Sequence, residues 1–133
     1  MYNRSGNAVF ALNYHLVIVV KYRKKVFAND QIINDLKELV LAVAANNKVN
    51  IIAQECGVDH IHILFSAKPT CNIPVFVNSL KGYTSRIIRE RYSSFLSPQL
   101  YGDAFWSPSY FLATAGNVSV ETLHNYINNQ RLE

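Results

Sequence analysis

The fold is decided by residues 58–65, which read Val-Asp-His-Ile-His-Ile-Leu-Phe and predict a short β-strand. Successive side chains of a strand point to opposite faces, so His60 and His62 share one face, and Ile61, Ile63 and Phe65 share the other. We expect the apolar face to lie in the core. Neutral imidazole binds metal ions, so the two histidines are either a metal-binding pair or hydrogen-bonded or exposed side chains on a half-buried strand.

The composition fits one domain over residues 1–133 with a substantial core, because half of the 133 residues are hydrophobic. No stretch is long and apolar enough to span a bilayer, which predicts a protein without a membrane partner. The two cysteines, Cys56 and Cys71, are expected to be free thiols, as in a reducing cytoplasm. A net charge of +4 and eight tyrosines are compatible with binding to nucleic acid.

The hydrophobic periodicity predicts strands and helices in the order strand, helix, strand, strand, helix, strand, followed by a C-terminal helix. Pro108 interrupts the last strand, so this strand should start after the proline or lie at an edge. The predicted ranges are a strand at 9–22, a helix capped by Asn29 or Asp30 whose apolar repeat runs to Val43, strands at 49–55 and 58–65, a helix at 75–92, a loop at 93–102, a strand at 105–114 and a helix at about 119–131. Pro69 and Pro74 bracket a linker before the second of these helices.

This order is the βαββαβ pattern of a ferredoxin-like α+β fold, an antiparallel sheet with both helices on one face. Ile61, Ile63 and Phe65 would then face the helices, and the two histidines would lie on the open face of a central strand. The C-terminal helix would be free to cover that open face in its own chain or in a partner's. Trp106 is expected in the core, with base stacking as the alternative.

Seven of the chain's Lys and Arg side chains fall into two groups. Each is either an ordinary solvated face or a patch that contacts phosphates, and the interleaved Tyr22 and the position at a strand end favour phosphate contact for the first. The first group is Lys21, Arg23, Lys24 and Lys25, and the second, on one side of the second helix, is Lys81, Arg86 and Arg89.

The C-terminal helix brings Tyr126 and Gln130 to one side, because they are four residues apart. A tyrosine beside an apolar stripe usually packs, and a glutamine one turn on is usually solvated. This interpretation holds unless a site needs both residues.

Five blocks of sequence, taken in order, resemble the single-tyrosine HUH transposases of the smallest insertion sequences (the IS two-hundred/IS six-oh-five group). The resemblance covers nearly the whole chain. The blocks are Tyr14-His15-Leu16-Val17 leading to Lys21-Tyr22-Arg23, Asp59-His60-Ile61-His62, Leu80-Lys81-Gly82-Tyr83-Thr84-Ser85-Arg86, Phe105-Trp106 with Tyr110-Phe111, and Tyr126-Ile127-Asn128-Asn129-Gln130.

The resemblance implies a transposase that cuts and rejoins single-stranded DNA with hairpins at the element's ends. It implies that Tyr126 is the nucleophile, forming a 5′-phosphotyrosine, and that His60, His62 and Gln130 hold Mg²⁺ or Mn²⁺. It also implies a homodimer in which one chain supplies the histidines and the other the tyrosine helix. Asp59 precedes the motif and could orient a histidine as a carboxylate partner, but on an ideal strand it is expected to face away from both rings, so it is not included among the site residues. His15 and His124 are expected to be structural or surface residues.

Two alternatives stay open. A non-catalytic nucleic-acid-binding module on the same fold would give neither a covalent adduct nor metal dependence. A domesticated HUH endonuclease acting on repeated palindromes would keep the chemistry and change the biological role.

Overall fold

The computed structural model describes residues 4–5, 8–9, 11–100, 104–115 and 125–129. The predicted α+β, ferredoxin-like fold is confirmed. The strands are β1 (Arg4–Ser5), β2 (Ala8–Val9), β3 (Leu12–Val19), β4 (Asn50–Cys56), β5 (His60–Ala67) and β6 (Phe111–Thr114), and the helices are α1 (Asp30–Asn46), α2 (Ile73–Arg91) and α3 (Ser93–Leu96). Short 3₁₀ turns occupy Lys21–Arg23 and Val26–Ala28. None of the described helices is long and apolar enough to cross a membrane.

The main sheet has four strands in the order β4-β5-β3-β6, and all neighbours are antiparallel. The histidine strand β5 is therefore central, between β4 and β3. In the register of β3 against β5, Val17 pairs with His62 and Val19 with His60. Directly paired residues point to the same face of a sheet, so both histidines lie beside the valines of β3.

One face of the sheet carries the core, as the alternation in β5 predicted. Ile61, Ile63 and Phe65 are buried in a cluster that includes Leu36 of α1 and Phe76 of α2. Helix α1 starts at its predicted cap, since the side chain of Asn29 accepts hydrogen bonds from the backbone of Gln31 and Ile32. Both long helices cover this face and leave the other face for the histidines.

The open face is partly covered by the chain's own C-terminal segment. Residues 125–128 form a helical turn, and Ile127 packs in a second apolar cluster with Val17 and Val19. The predicted helix over 119–131 otherwise lies outside the described residues, so its full extent stays a prediction.

Several predicted boundaries are wrong. The strand predicted at 9–22 ends at Val19, because the backbone of Lys21 donates to Phe105 and the chain then turns through left-handed conformations at Tyr22 and Arg23. Pro74 is not in a linker: it occupies the first turn of α2, where a missing N–H costs nothing. The predicted loop at 93–102 contains α3.

The strand predicted at 105–114 is also shorter. Trp106 makes an isolated bridge to Val20, and the regular ladder of β6 begins only at Phe111, after Pro108. Proline lacks the amide donor that a ladder needs. The expectation that the strand starts after the proline is therefore confirmed.

The periodicity of the second helix predicts a buried stripe of Phe76, Leu80, Tyr83 and Ile87, and α2 buries only part of it. Its buried residues are Phe76, Val77, Leu80, Thr84 and Ile88, whereas Tyr83 is 36% exposed. Trp106 is buried and its indole N–H donates to the Thr84 hydroxyl at 3.0 Å, which draws Thr84 inward. The core interpretation of Trp106 is confirmed.

The two cysteines are free thiols, as expected. Burial raises the pKa of the Cys56 thiol to about 11 and also raises the pKa of Cys71. Both thiols therefore stay protonated near neutral pH.

Candidate active site

The two histidines lie side by side on the open face of β5, each with roughly a quarter of its side chain exposed. The alternation of apolar and histidine residues places them there, since the interleaved isoleucines are buried on the helix side. Both rings are thus solvent-accessible from the face that the C-terminal turn partly covers.

His60 is held by a buried carboxylate. Its Nδ1 lies 2.8 Å from Oδ1 of Asp59, a residue that is only 4% exposed, and Nε of Arg23 donates to the other oxygen, Oδ2, at 2.8 Å. An ionised carboxylate only accepts, so Nδ1 of His60 carries the proton of this bond, and the neutral ring has its lone pair on Nε2. Metal-binding histidines are typically oriented by this kind of bond.

Asp59 remains ionised in this setting. Burial alone would raise its pKa, but the hydrogen bonds from His60 and Arg23 and the charge of Arg23 outweigh burial and hold the pKa below its usual range. The expectation that Asp59 faces away from the rings is wrong. Regular β5 begins only at His60, so the side chain of Asp59 belongs to the preceding turn and does not follow the alternation of the strand.

The position of the His60 ring requires glycine at position 57. A Cβ on Gly57 would overlap the His60 ring and lie 2.8 Å from its Nδ1 and 2.9 Å from its Nε2. The turn is fixed by the bond from the Gly57 amide to the His60 carbonyl and by bonds from Val20 and Phe27 to the carbonyls of Asp59 and Val58. The ring of His60 is therefore seated directly on the backbone of residue 57.

His62 is paired with a third histidine. Nε2 of His62 lies 2.7 Å from Nδ1 of His15 on β3, and the two rings stack with centroids 5.0 Å apart. Its Nδ1 is 4.0 Å from the exposed Glu55 carboxylate, too far for a hydrogen bond. His15 was expected to be structural or on the surface, and its position beside His62 could not be read without the β3–β5 register.

The environment favours neutral His62. Burial lowers the pKa of His62 below its ordinary value, the neighbouring His15 and His60 lower it further, and Glu55 opposes the shift. Neutral imidazole is the form that binds metals.

A basic loop follows β3 and borders His60. Tyr22 and Arg23 have φ values of 58° and 54°, a left-handed conformation that costs non-glycine residues about 1–2 kcal/mol each. Such strain clusters at functional sites. A cleft of about 390 Å³ lies beside the loop, lined by Arg23, Lys25, Val58, Asp59, His60, Ile127 and Asn128.

This cleft unites three of the predicted groups. It contains one predicted metal ligand, two cations of the predicted phosphate patch and two residues of the turn that carries Tyr126. Of the other predicted cations in the loop, Lys24 is exposed, and Nζ of Lys21 lies 5.4 Å from the centre of the Tyr22 ring.

Tyr126 points to the far side of β3. Its hydroxyl is 3.3 Å from Oγ of Ser109, and its ring is 5.4 Å from that of Phe111. Ser109 leads into β6, which is separated from β5 by β3. Two strand spacings amount to about 10 Å, so the strand next to the Tyr126 hydroxyl and the histidine strand lie on opposite sides of β3 at about this spacing.

The predicted third ligand, Gln130, lies outside the described residues. Within the described ranges, no group of three or more His, Cys, Asp or Glu side chains is arranged to hold a metal ion. Of the three predicted ligands, the described part of the chain contains His60 and His62.

The predicted cations of α2 lie on the opposite face of the sheet from the histidines. Lys81 donates to the carbonyls of Ser107 at 2.9 Å and Pro108 at 3.1 Å, and the Arg86 guanidinium lies 5.5 Å from the centre of the Tyr83 ring. A second, open cleft of about 380 Å³ is lined by Gly82, Ser85, Arg86, Arg89 and Glu90. The structure therefore separates the two cationic groups.

Comparison with known proteins identifies the family. The family model described as "Transposase IS200 like" matches residues 8–130, and the chain belongs to this family. It is 36% identical over 122 residues to the ISDra2 transposase TnpA of Deinococcus radiodurans, covering 92% of this chain and 86% of that protein. It is 27% identical over 117 residues to the transposase for insertion sequence element IS200 of Salmonella typhimurium, covering 88% and 75%.

Solved structures agree. A crystal structure of a transposase candidate from D. radiodurans R1 superposes with a TM-score of 0.88 at 30% identity, covering 98% of this chain and 99% of that one. A REP-associated tyrosine transposase bound to a REP hairpin superposes with a TM-score of 0.59 at 10% identity, covering 96% and 69%, which shows the fold alone. The family predicted from the five sequence blocks is confirmed, and the protein is a transposase of the IS200-like family.

Proposed function

We propose that this transposase cuts and rejoins single-stranded DNA, with Tyr126 as the nucleophile and His60 and His62 beside the scissile phosphate. The observation that carries the proposal is the cleft in which the carboxylate-braced His60, the cations Arg23 and Lys25 and the turn bearing Tyr126 meet. Cations attract a phosphate, and His60 lines the same cleft as Arg23 and Lys25.

The two described imidazoles fit a divalent metal. His60 has the carboxylate partner that is usual for a ligand, and the low pKa of His62 keeps it in the ligating form. We propose that His60, His62 and the Gln130 carboxamide hold Mg²⁺ or Mn²⁺, and nitrogen donors favour Mn²⁺ of these two. The bound cation would polarise the scissile phosphate as a Lewis acid.

In the proposed cleavage step, the phenolic oxygen of Tyr126 forms a bond to phosphorus while the bond from phosphorus to the 3′ oxygen breaks. The phenol loses one proton and the departing 3′ oxygen gains one. The products are a 5′-phosphotyrosine and a free 3′-hydroxyl. Attack by a 3′-hydroxyl from another strand reverses the step and rejoins DNA, so no nucleotide cofactor is consumed.

The DNA partner is proposed to carry hairpins at the element's ends. Lys21, Arg23, Lys24 and Lys25 would contact the backbone near the cut. Lys81, Arg86 and Arg89, on the other layer of the fold, would contact a different part of the DNA. Each such phosphate contact would steepen the salt dependence of binding.

We propose that the active site is shared within a homodimer. The phenol of Tyr126 sits by Ser109, which leads into β6, and β6 is two strand spacings, about 10 Å, from the histidine strand β5. A reacting atom must come within about 3–3.5 Å of its target. If a second copy of the chain supplied the turn that carries Tyr126, its phenol could approach the histidines directly.

A covalent-trapping assay tests the proposal. Labelled single strands covering the DNA on either side of the gene are mixed with the protein and Mn²⁺ or Mg²⁺ and separated on denaturing gels. We expect a metal-dependent adduct that Tyr126→Phe and His62→Ala abolish and that the control Tyr83→Phe, on α2, retains. DNA binding without an adduct in either metal would favour a non-catalytic module.

The same assay tests the shared site. Mixing the inactive Tyr126→Phe and His62→Ala proteins should restore adduct formation, because a mixed dimer has one site with both groups intact. Failure of the mixture to form adduct, while wild-type protein does, would assign the tyrosine to the histidines of its own chain.

A further inference from the structure

Tyr22 is an aromatic residue whose exposure no packing explains. Its side chain is 53% exposed, and its backbone is left-handed, with φ 58° and ψ 17°. Tyrosine has no intrinsic preference for this conformation, which asparagine, aspartate and glycine adopt more readily. A strained, solvent-facing aromatic ring indicates a ligand rather than a core contact.

The backbone around Tyr22 is held on both sides, and on one of them by a residue of the candidate active site. On one side, the amide of Lys21 donates to the carbonyl of Phe105 at 2.9 Å. On the other, the side chain of Arg23 is bonded to Asp59, which in turn holds His60. The ring therefore projects from a braced loop next to the proposed scissile phosphate.

The surroundings of the ring are cationic. Nζ of Lys21 lies over one face of the ring, 5.4 Å from its centre, which leaves the other face for a base. Lys24 is exposed, and Lys25 lines the His60 cleft. An aromatic face beside a row of cations matches a single nucleotide, whose base stacks while its phosphates meet the charges.

We propose that Tyr22 is a stacking platform for one unpaired base of the single-stranded DNA, next to the phosphate that is cut. This inference rests on the proposed function and adds a binding site to it. A base in a duplex is stacked on both sides, so the platform selects an unpaired nucleotide, and because every base has a π-face it does so without reading sequence.

The experiment measures single-strand affinity without metal, so that cleavage plays no part. Fluorescence anisotropy with a labelled oligonucleotide compares wild type with Tyr22→Ala, Tyr22→Leu and Tyr22→Phe. Phe95→Ala, which removes another exposed aromatic ring from α3, is the matched control. We expect Tyr22→Ala and Tyr22→Leu to weaken binding by about 5-fold to 150-fold, the effect of losing one stacked base. Tyr22→Phe and Phe95→Ala should bind like wild type.

A scan of single abasic sites along the oligonucleotide adds a test that needs no variant. At one position, removal of the base should weaken binding by wild type and leave binding by Tyr22→Ala unchanged, because the platform is already gone. Equal affinities of wild type and Tyr22→Ala for the intact strand would overturn the platform and leave the proposed function standing. No single-strand binding by wild type at low salt would overturn both.

Discussion

Replacing Gly57 by alanine tests whether the His60 ring packs directly against the backbone of residue 57, as the structure shows. The added Cβ would lie 2.8 Å and 2.9 Å from the two ring nitrogens of His60, closer than carbon and nitrogen approach without a bond. The ring is the mobile partner and must swing away. The rest of the turn can stay, because residue 57 is not in a left-handed conformation.

The expected loss of stability follows from the hydrogen bond that the displaced ring breaks. Once displaced, Nδ1 of His60 no longer donates to Asp59, which is 4% exposed. A buried acceptor that loses a partner costs about 1–3 kcal/mol. The effect on a bound metal should be larger, since loss of the partner that orients a ligand typically costs about 10–100-fold in affinity.

Gly82→Ala is the matched control within the same chain. Gly82 lies inside α2, and a Cβ there meets nothing within 4 Å. Alanine is favoured over glycine in a helix by about 0.5–1 kcal/mol, so this variant should be more stable than wild type. Alanine is thus predicted to lower the stability of the protein at position 57 and to raise it at position 82.

Thermal unfolding and Mn²⁺ titration calorimetry measure both effects. We expect Gly57→Ala to melt lower and to bind Mn²⁺ more weakly, and Gly82→Ala to melt a few degrees higher with unchanged Mn²⁺ affinity. If Gly57→Ala bound Mn²⁺ as tightly as wild type, His60 would not be positioned by its contact with the backbone of residue 57.

Three further predictions concern individual contacts. Asp59→Asn should weaken Mn²⁺ binding, measured by calorimetry, by about 10–100-fold. The control Asp35→Asn, which alters an ion pair with Arg91 on the helix layer, should leave Mn²⁺ binding unchanged. Equal Mn²⁺ affinities of the two variants would refute the role of Asp59 in orienting His60. Because the pKa of His62 is lowered on folding, its contribution to stability is complete above the ordinary histidine pKa and is lost as the pH falls through the lowered value. The melting temperature of wild type should therefore drop more steeply than that of His62→Gln below about pH 6.5, and parallel curves would refute the shift. Thr84→Val should cost about 1–3 kcal/mol by leaving the buried Trp106 N–H without an acceptor, while Thr84→Ser keeps the hydroxyl and should melt near wild type; equal melting of both would show that the bond contributes little.

The sequence predicted what depends on local period. Alternation in β5 separated the histidines from Ile61 and Ile63, and the cap at Asn29 marked the start of α1. These features follow from the pleat of a strand and from the free amides at a helix start, which neighbouring residues determine. The order of elements then restricted the sheet to a ferredoxin-like arrangement, as observed.

What the sequence did not predict depends on long-range pairing or on the end of an element. His15 meets His62 only because β3 and β5 pair in one register, and residues 47 positions apart give no local signal. Asp59 was placed by strand alternation, although the regular strand begins one residue later. The sequence does indicate a possible role for Asp59, because an acidic residue next to a histidine pair can orient a ligand, but strand alternation argues against that role.

The cationic groups show the same limit. Both were visible as charge runs, but only the fold shows that Arg23 is committed to Asp59 and that Lys81 is bonded to the chain before β6. Charge in a sequence predicts a surface property, whereas the partner of each charge is set by tertiary packing.

The central claim is that Tyr126 becomes covalently attached to DNA. The most direct measurement is tandem mass spectrometry of the protein after reaction with a single-stranded substrate in Mn²⁺, nuclease digestion and proteolysis. We predict a nucleotide attached through its phosphate to Tyr126, and no such modification on the other seven tyrosines of the chain. A modified peptide carrying a different tyrosine, or cleaved DNA with no modified peptide, would contradict the assignment of Tyr126 as the nucleophile.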